Sequence, residues 1–312
     1  MRHNSQNVSA SLQGRFSKNP RSGGFCQSAG GFVEEKAYAK INLFLEVTDK
    51  RPDGYHNLVS VMQSLDLHDT LTILPGKSGI VLETNMPGVP TDDSNLVVKA
   101  AKLLMSECGI NQPLHIKLQK KIPMGAGLGG GSSNAAATLH GLNRLFGLDI
   151  PLPKLLKMGQ TLGADVPFCL LGGTALAEGI GEKLTPLKPH PPCYIMLACP
   201  PIHVSTKEIF NKLGGFCKTE NADRFLEAYE SEDISLIAKN LFNTFTPITA
   251  KIHPLINTFI ANLQATGALG ASMTGTGSTV FVYFNNEHNA QKACNILMQQ
   301  YPDTKFFITQ PR

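Results

Sequence analysis

Several common chemistries are missing from this 312-residue chain, and each absence narrows what it can do. No stretch approaches the roughly 18 consecutive apolar residues of a bilayer-spanning helix, which argues against a membrane protein. The seven cysteines, Cys26, Cys108, Cys169, Cys193, Cys199, Cys217 and Cys294, are odd in number and scattered, with no C-x-x-C pair. Neither a disulfide framework nor a zinc site follows from them, and the compartment reads as reducing. The histidines show no H-E-x-x-H or other ligand spacing.

Acidic residues are absent from residues 1–33, which hold Arg2, Arg15, Lys18 and Arg21 and so account for the whole net charge of +4. The rest of the chain is neutral and offers no electrostatic footprint for nucleic acid. The same segment is rich in Ser, Gly and Asn and lacks the apolar run of a secretory signal, so it is expected to be a disordered leader. A cytoplasmic protein with an ordinary tail and an organelle (plastid-type) protein with a basic transit peptide both fit it.

What is present is a run of small residues opening a helix. Pro123, Met124, Gly125, Ala126, Gly127, Leu128, Gly129, Gly130, Gly131, Ser132, Ser133 and Asn134 lead directly into Ala135-Ala136-Ala137-Thr138-Leu139. Glycines allow backbone N–H groups to turn toward an anion, and the helix dipole adds to the attraction, so the guest expected is a phosphate. The stretch satisfies G-x-G-x-x-G at Gly125, Gly127 and Gly130, yet the nearest acidic residue at Rossmann distance, Asp149, sits in a helix-ending turn. Gly131 stands where a Walker A loop requires lysine. A flexible linker is the plain alternative; Leu139, Leu142, Leu145 and Phe146 follow at helical spacing and need a core to bury them.

Along the chain, Ala39, Ile41, Leu43, Leu45 and Val47 alternate as a strand, which sets Lys40 and Asn42 together on its other face. Arg51-Pro52-Asp53-Gly54 is a turn from which Tyr55 and His56 emerge. Strands are expected at 59–67, 70–74 and 114–118, and helices at 95–108 and 153–162, the second capped by Gly163. A hairpin is expected over 170–187, and the Pro-rich segment 186–192 is the best domain boundary, dividing 34–188 from 189–312. Beyond it come a strand at 194–198, three helical patterns up to Gln264, a strand at 279–284, a helix at 289–300 and a strand at 305–309.

The strand with Lys40 and Asn42, the glycine loop, and a second small-residue loop, Met273-Thr274-Gly275-Thr276-Gly277-Ser278, together resemble the three motifs of the GHMP kinase superfamily. Asp53-Gly54-Tyr55-His56 and Leu162-Gly163-Ala164-Asp165-Val166-Pro167 extend the similarity over residues 36–312, and within the superfamily toward kinases of a cytidine diphosphate-linked methylerythritol. The resemblance implies an α+β, two-domain fold with a ribosomal protein S5 domain 2-like N-terminal domain and a ferredoxin-like C-terminal domain. It implies ATP as co-substrate, Mg²⁺, and a small-molecule acceptor, and leaves the oligomeric state open.

The same resemblance implies site roles. Asp165 would receive the acceptor proton, its alternative being a turn residue after a helix; Lys40 would hold Asp165 ionised and touch the transferring phosphoryl group, its alternative being a solvated strand lysine. The loop from Pro123 to Ser133 would wrap the phosphates, with Ser132 or Ser133 near Mg²⁺ and Thr274, Gly275 and Gly277 closing from the second domain. Asn95 would lie near the adenine, with Lys120 adding a contact unless it is a solvated strand end. On the acceptor side Asn42 and Asn134 would bind substrate, Tyr55 and Phe210 would sandwich the cytosine, and His56 would read its edge with Thr206 nearby. Tyr55 could instead pack under its hairpin. Three features depart from the family pattern: Ala37-Tyr38 before Ala39-Lys40, the leader, and Met62 where an aromatic is common near the base. Other acceptors such as homoserine or mevalonate, a dinucleotide oxidoreductase, and a non-catalytic nucleotide-binding protein are the competing readings.

Overall fold

A computed structural model describes residues 31–214 and 221–312, so most of the expected leader, with Cys26 and Cys217, lies outside the described residues. Order begins where the alternating pattern does. Strands β1 (Val33–Lys50) and β2 (His56–Pro75) form one long antiparallel pair around the turn at residues 51–55. Gly54, at φ 88°, donates its N–H to the Arg51 carbonyl at 3.0 Å, the backbone conformation that a glycine supplies without strain. The two strands expected at 59–67 and 70–74 are a single strand. The polar residues between them, which read as an interruption, are in the ladder, and Asp69 among them is fully buried.

Residues Ala39, Ile41, Leu43, Leu45 and Val47 face the core as their alternation predicts. Lys40 and Asn42, on the other face, are buried as well, because the glycine loop covers the first and the loop at 274–277 the second. Strand β1 slips register between Tyr38 and Lys40 and again between Asn42 and Phe44, irregularities of the kind that bend a strand and re-aim its side chains. Strands β3 (Ile80–Thr84), β4 (Leu114–Gln119), β5 (Thr174–Gly179), β6 (Lys183–Pro186) and the two-residue β8 (Phe242–Asn243) complete a seven-stranded sheet of order β3-β4-β2-β1-β8, with β5 and β6 on the outer half of β2.

Helices α1 (Leu96–Cys108), α2 (Gly130–Leu145), α3 (Leu152–Leu162) and α4 (Val166–Leu171) pack on this sheet through Val97, Leu104, Leu139, Leu142 and Leu155 against Ile73 and Ile116. Helix α2 starts at Gly130, earlier than its alanine run, so the serines of the glycine stretch lie in its first turn. Helix α4 occupies part of the segment expected to be a hairpin; Pro167 lies in its first turn, where no N–H is needed. Gly163 is the C-cap of α3 as expected, its N–H donating to the Gly159 carbonyl at 3.2 Å with extended backbone at φ 169°.

The second half carries an antiparallel sheet of β7 (Tyr194–Cys199), β9 (Gly270–Met273), β10 (Val280–Phe284) and β11 (Lys305–Thr309) in the order β11-β7-β10-β9. Numbered within itself this order is 4-1-3-2, the ferredoxin-like arrangement. Its helices are α5 (Thr206–Asn211), α6 (Asn221–Glu230), α7 (Ile234–Lys239), α8 (Thr246–Ile252), α9 (Leu255–Gln264) and α10 (Glu287–Gln300), so the three expected patterns before Gln264 resolve into five short helices. The core is continuous across the Pro-rich segment: Ala39, Ile41 and Leu43 of β1 cluster with Ile195 and Leu197 of β7 and Phe281 and Tyr283 of β10. This is the two-domain α+β architecture that the motifs implied. Among the described residues no helix is long and apolar enough to cross a membrane.

Candidate active site

Two loops and one strand meet at a single point. Gly125, Gly127 and Gly129 adopt φ values of 63°, 78° and 68°, which let the chain coil before α2 begins at Gly130. The loop is pinned to β1 by the Lys40 N–H, which donates to the Leu128 carbonyl at 3.0 Å. A side chain at Gly129 would strike the Lys40 methylenes, its Cβ lying 2.8 Å from Lys40 Cγ. At Gly127 a Cβ would lie 2.6 Å from the Thr274 carbonyl oxygen and 3.0 Å from that of Gly277, so here glycine is required by the second loop.

Asn42 joins the three parts. Its Oδ1 accepts from Lys40 Nζ at 2.9 Å and the Gly275 N–H at 3.1 Å, its own N–H donates to Thr274 Oγ1 at 3.0 Å, and its Nδ2 donates to Ser60 Oγ at 2.9 Å. That differs from the acceptor-binding role expected of Asn42: the amide is buried and engaged with protein, so its position makes it the brace between loop and strand. The second loop is held further by Asn243, whose Nδ2 donates to the carbonyls of Met273 and Gly275 at 2.6 and 2.8 Å. Thr249 Oγ1 donates to the Thr276 carbonyl at 3.0 Å. Neither Asn243 nor Thr249 was singled out from the sequence, which gives them no motif.

Lys40 Nζ also lies 3.5 Å from Asp165 Oδ2. The lysine side chain is 6% exposed and the carboxylate 40%, so the pair sits at a mouth, with its cationic half sealed and its acidic half open to a ligand. Asp165 lies in the turn ahead of α4, and its side chain makes no capping bond there, which leaves the carboxylate available to Lys40. One turn on, Cys169 is partly buried, and desolvation together with the nearby Asp165 carboxylate pushes its thiol far up, which keeps it protonated and unreactive.

The glycine loop walls a cleft of about 400 Å³ together with Val89, Pro90, Ser94, Asn95, Leu96, Lys120, Ser132 and Asn134. Asn95 caps α1, accepting from the Val97 N–H at 2.9 Å and donating to the Pro90 carbonyl at 2.6 Å. The two serines separate clearly. Ser133 is buried and its Oγ donates to the Tyr38 carbonyl at 2.6 Å, whereas Ser132 is half-buried on the cleft wall. Lys120 is not a solvated strand end: it is buried and ion-paired with Asp69. Asn134 is buried at the cleft wall and bonded to the same pair, Lys120 and Asp69.

On the far side of the second loop, Thr206 Oγ1 lies 3.2 Å from Thr276 Oγ1, and Phe210 is one turn further along α5. Phe210 does not stand free as half of a sandwich. Its ring meets His56 at 5.1 Å between centroids and Phe245 at 4.7 Å. His56 is thereby brought into the group, and burial with the neighbouring Lys50 charge holds its imidazole below the ordinary histidine range, hence neutral at pH 7. Tyr55 is 61% exposed, so it does not pack under the hairpin. Met62 is buried with Phe168 of α4, Ala175 and Ala177.

Family models match two parts of the chain: the GHMP kinases N terminal domain at residues 95–173 and the GHMP kinases C terminal at residues 225–303. A 4-diphosphocytidyl-2-C-methyl-D-erythritol kinase of Lachnoclostridium phytofermentans is 46% identical over 264 residues, covering 84% of this chain and 91% of the relative. One of the same name from Caldicellulosiruptor saccharolyticus is 44% identical over 265 residues, with 84% and 91% covered. Among solved structures, a 4-(cytidine 5'-diphospho)-2C-methyl-D-erythritol kinase superposes with a TM-score of 0.78 at 31% identity, covering 89% of this chain and 99% of that one. A homoserine kinase from Cytophaga hutchinsonii reaches 0.73 at 21% identity over 92% and 96%, a likeness of fold alone.

Proposed function

The chain belongs to the GHMP kinases, and from that premise we propose that it transfers the γ-phosphoryl group of ATP to the 2-hydroxyl of 4-diphosphocytidyl-2-C-methyl-D-erythritol, a step of non-mevalonate isoprenoid biosynthesis. The observation that carries the chemistry is the half-open Lys40–Asp165 pair beside a helix N-terminus. Phosphoryl transfer passes through a loose transition state, so a kinase needs alignment, charge neutralisation and one group for the acceptor proton. Asp165 takes that proton from the 2-hydroxyl. Lys40 keeps the carboxylate charged and lies against the equatorial oxygens as negative charge spreads onto them.

ATP occupies the cleft of about 400 Å³, its phosphates against the first-turn N–H groups of α2, which have no partner four residues back. Asn95 and Lys120 line the nucleotide side, and Thr274, Gly275 and Gly277 close it. Mg²⁺ fits the donor set as a guest of the nucleotide: a small hard cation prefers phosphate oxygens and water with one or two protein oxygens, and Ser132 is the serine whose hydroxyl is free to serve. When bound it neutralises charge on the transferred group. Tyr55, His56, Phe210 and Thr206 contact the cytidine end, Tyr55 as an exposed ring closing over the base and His56 as a neutral edge reader. Residues 34–188 thus form the ATP-binding domain and 189–312 the domain that completes the acceptor site.

ADP release measured with this substrate, with homoserine and with mevalonate at equal concentrations tests the reading. Turnover only with the cytidylylated substrate supports it. Faster turnover with either smaller alcohol would reassign the acceptor, and no turnover with any would remove the kinase function.

A further inference from the structure

Where β4 ends, the chain leaves the sheet to become the glycine loop, and its backbone donors need new partners. The β2–β4 ladder stops at Thr70 opposite Gln119. Past that point side chains replace it. Asn85 Oδ1 accepts the Lys120 N–H at 2.7 Å, while Asp69 Oδ1 accepts the N–H groups of Lys121 and Ile122 at 2.7 and 2.8 Å. The other carboxylate oxygen, Asp69 Oδ2, accepts from Lys120 Nζ and from Asn134 Nδ2, the latter at 2.8 Å, and Lys120 Nζ in turn donates to Asn134 Oδ1 at 3.1 Å.

Asp69 therefore holds both ends of the loop at once. One oxygen takes the chain entering it and the other takes Asn134, near the start of the helix leaving it. The carboxylate is wholly buried, the lysine is 6% exposed, and a Cβ on Gly130 would lie 3.1 Å from Lys120 Nζ, so the ammonium sits directly beneath the start of α2.

We propose that Asp69 is the positioning residue of the phosphate loop, acting through Lys120 and Asn134 to set the separation of the loop's two ends and thereby the affinity for the nucleotide triphosphate. The inference rests on the assignment of the cleft to ATP. It assigns Asn134 to the nucleotide side of the reaction and not to the acceptor side. Asp69 touches neither substrate; its effect is the geometry of backbone donors that must converge on an anion.

Atom by atom, Asp69→Asn keeps one oxygen for Lys121 and Ile122 but turns an NH₂ toward Lys120 and Asn134, leaving a buried ammonium without its anion. Adding Asn134→Asp moves the carboxylate across the gap: the new acid accepts from both Lys120 and the amide at position 69, and every donor is again satisfied. The experiment is ATP affinity by titration calorimetry without acceptor, together with both Michaelis constants and the melting temperature, for wild type, Asp69→Asn, Asp69→Asn/Asn134→Asp and Asn134→Ala. Expected are a rise of at least tenfold in the ATP dissociation constant for Asp69→Asn, a recovery to within about threefold in the exchanged pair, and a rise of several-fold for Asn134→Ala, with the acceptor constant within twofold throughout. Should Asp69→Asn fail to fold, the exchanged pair and Asn134→Ala carry the test. A lower melting temperature with ATP affinity unchanged in Asn134→Ala, or an acceptor constant that rises in step with that for ATP, overturns the clamp while leaving the kinase reading intact. A wild type that binds no ATP overturns both.

Discussion

Gly125 and Gly127 give a way to separate two reasons for glycine in the phosphate loop. Both have left-handed backbone, at φ 63° and 78°, so replacing either with alanine brings the intrinsic cost of that conformation, about 1–2 kcal/mol. Their surroundings differ. A Cβ at Gly125 meets only the flexible His203 ring at 3.5 Å, an ordinary contact. At Gly127 it falls 2.6 Å from the Thr274 carbonyl oxygen, well inside the 3.4 Å at which such contacts become comfortable, and the obstacle is backbone. The two loops must part to admit it, which strains the Thr274 Oγ1 bond to the Gly127 carbonyl and the Asn42 bond to Gly275. Forcing a methyl into packed structure typically costs a further 1–3 kcal/mol or so.

Gly127→Ala is therefore expected to lose about 2–5 kcal/mol and Gly125→Ala about 1–2 kcal/mol. At about 2–4 °C per kcal/mol for a domain of this size, the added packing cost should separate the melting temperatures of the two variants by roughly 2–12 °C. Urea unfolding of both proteins measures the difference directly, and steady-state kinetics should show the ATP Michaelis constant rising at least fivefold more in Gly127→Ala. Equal losses in the two variants, with matching ATP constants, would refute the idea that close approach of the second loop shapes the phosphate site.

Asp165→Asn should fold with an unchanged melting temperature yet lose about 10²–10⁴-fold in turnover, the usual contribution of a general base; a loss under tenfold at saturating substrate would return Asp165 to a structural role. Ser132→Ala should lower turnover at little cost in stability, whereas Ser133→Ala, which orphans the Tyr38 carbonyl, should lose about 1–3 kcal/mol in denaturant midpoint analysis; the reverse pattern would exchange the serines. Tyr55→Ala should leave stability within about 0.5 kcal/mol, as befits an exposed ring, and raise the acceptor constant about tenfold without moving that for ATP. His56 and His190 are both held below the ordinary histidine range by burial, so the unfolded chain takes up protons first. Stability measured by urea midpoint should fall as pH drops through about 6.5 and continue falling toward the lower folded values, and His190→Gln should flatten that slope; an unchanged slope would show that His190 does not contribute.

The strand with Lys40 and Asn42 was legible because period-two alternation needs only local sequence, and the glycine loop because φ values near +60° leave few other residues. Both then gain meaning from their tertiary neighbours. Helix α4 was hidden by Pro167, which reads as a breaker unless the first-turn position is known, and β9, of sequence Gly270-Ala271-Ser272-Met273, has too little apolar surface to announce a strand. Phe210, expected beside Tyr55 around the base, meets His56 and packs on Phe245, an arrangement set by α5 and the end of β8 meeting in space, which no periodicity records. Asp69 carried a faint signal, an acid within an otherwise continuous strand pattern from Val59 to Leu74. That signal was read as a break, because a charge in a central strand is unfavourable unless a partner comes from elsewhere.

Two lysine–aspartate pairs thus flank one loop, Lys40 with Asp165 and Lys120 with Asp69, and residue type alone does not distinguish them. Burial and partners do. Asp69 accepts from four donors, the N–H groups of Lys121 and Ile122, the Lys120 ammonium and the Asn134 amide, and is sealed from solvent. A carboxylate so occupied has no room for a substrate proton and is suited only to hold position. Asp165 has the opposite endowment: one ion pair at 3.5 Å, no capping bond, and a side chain 40% exposed. The asymmetry follows from where the acids sit, one in the middle of β2 under the loop and the other ahead of a six-residue helix at its rim. Exchanging proton traffic between them would require unburying Asp69, which would undo the backbone turn that the phosphate loop depends on.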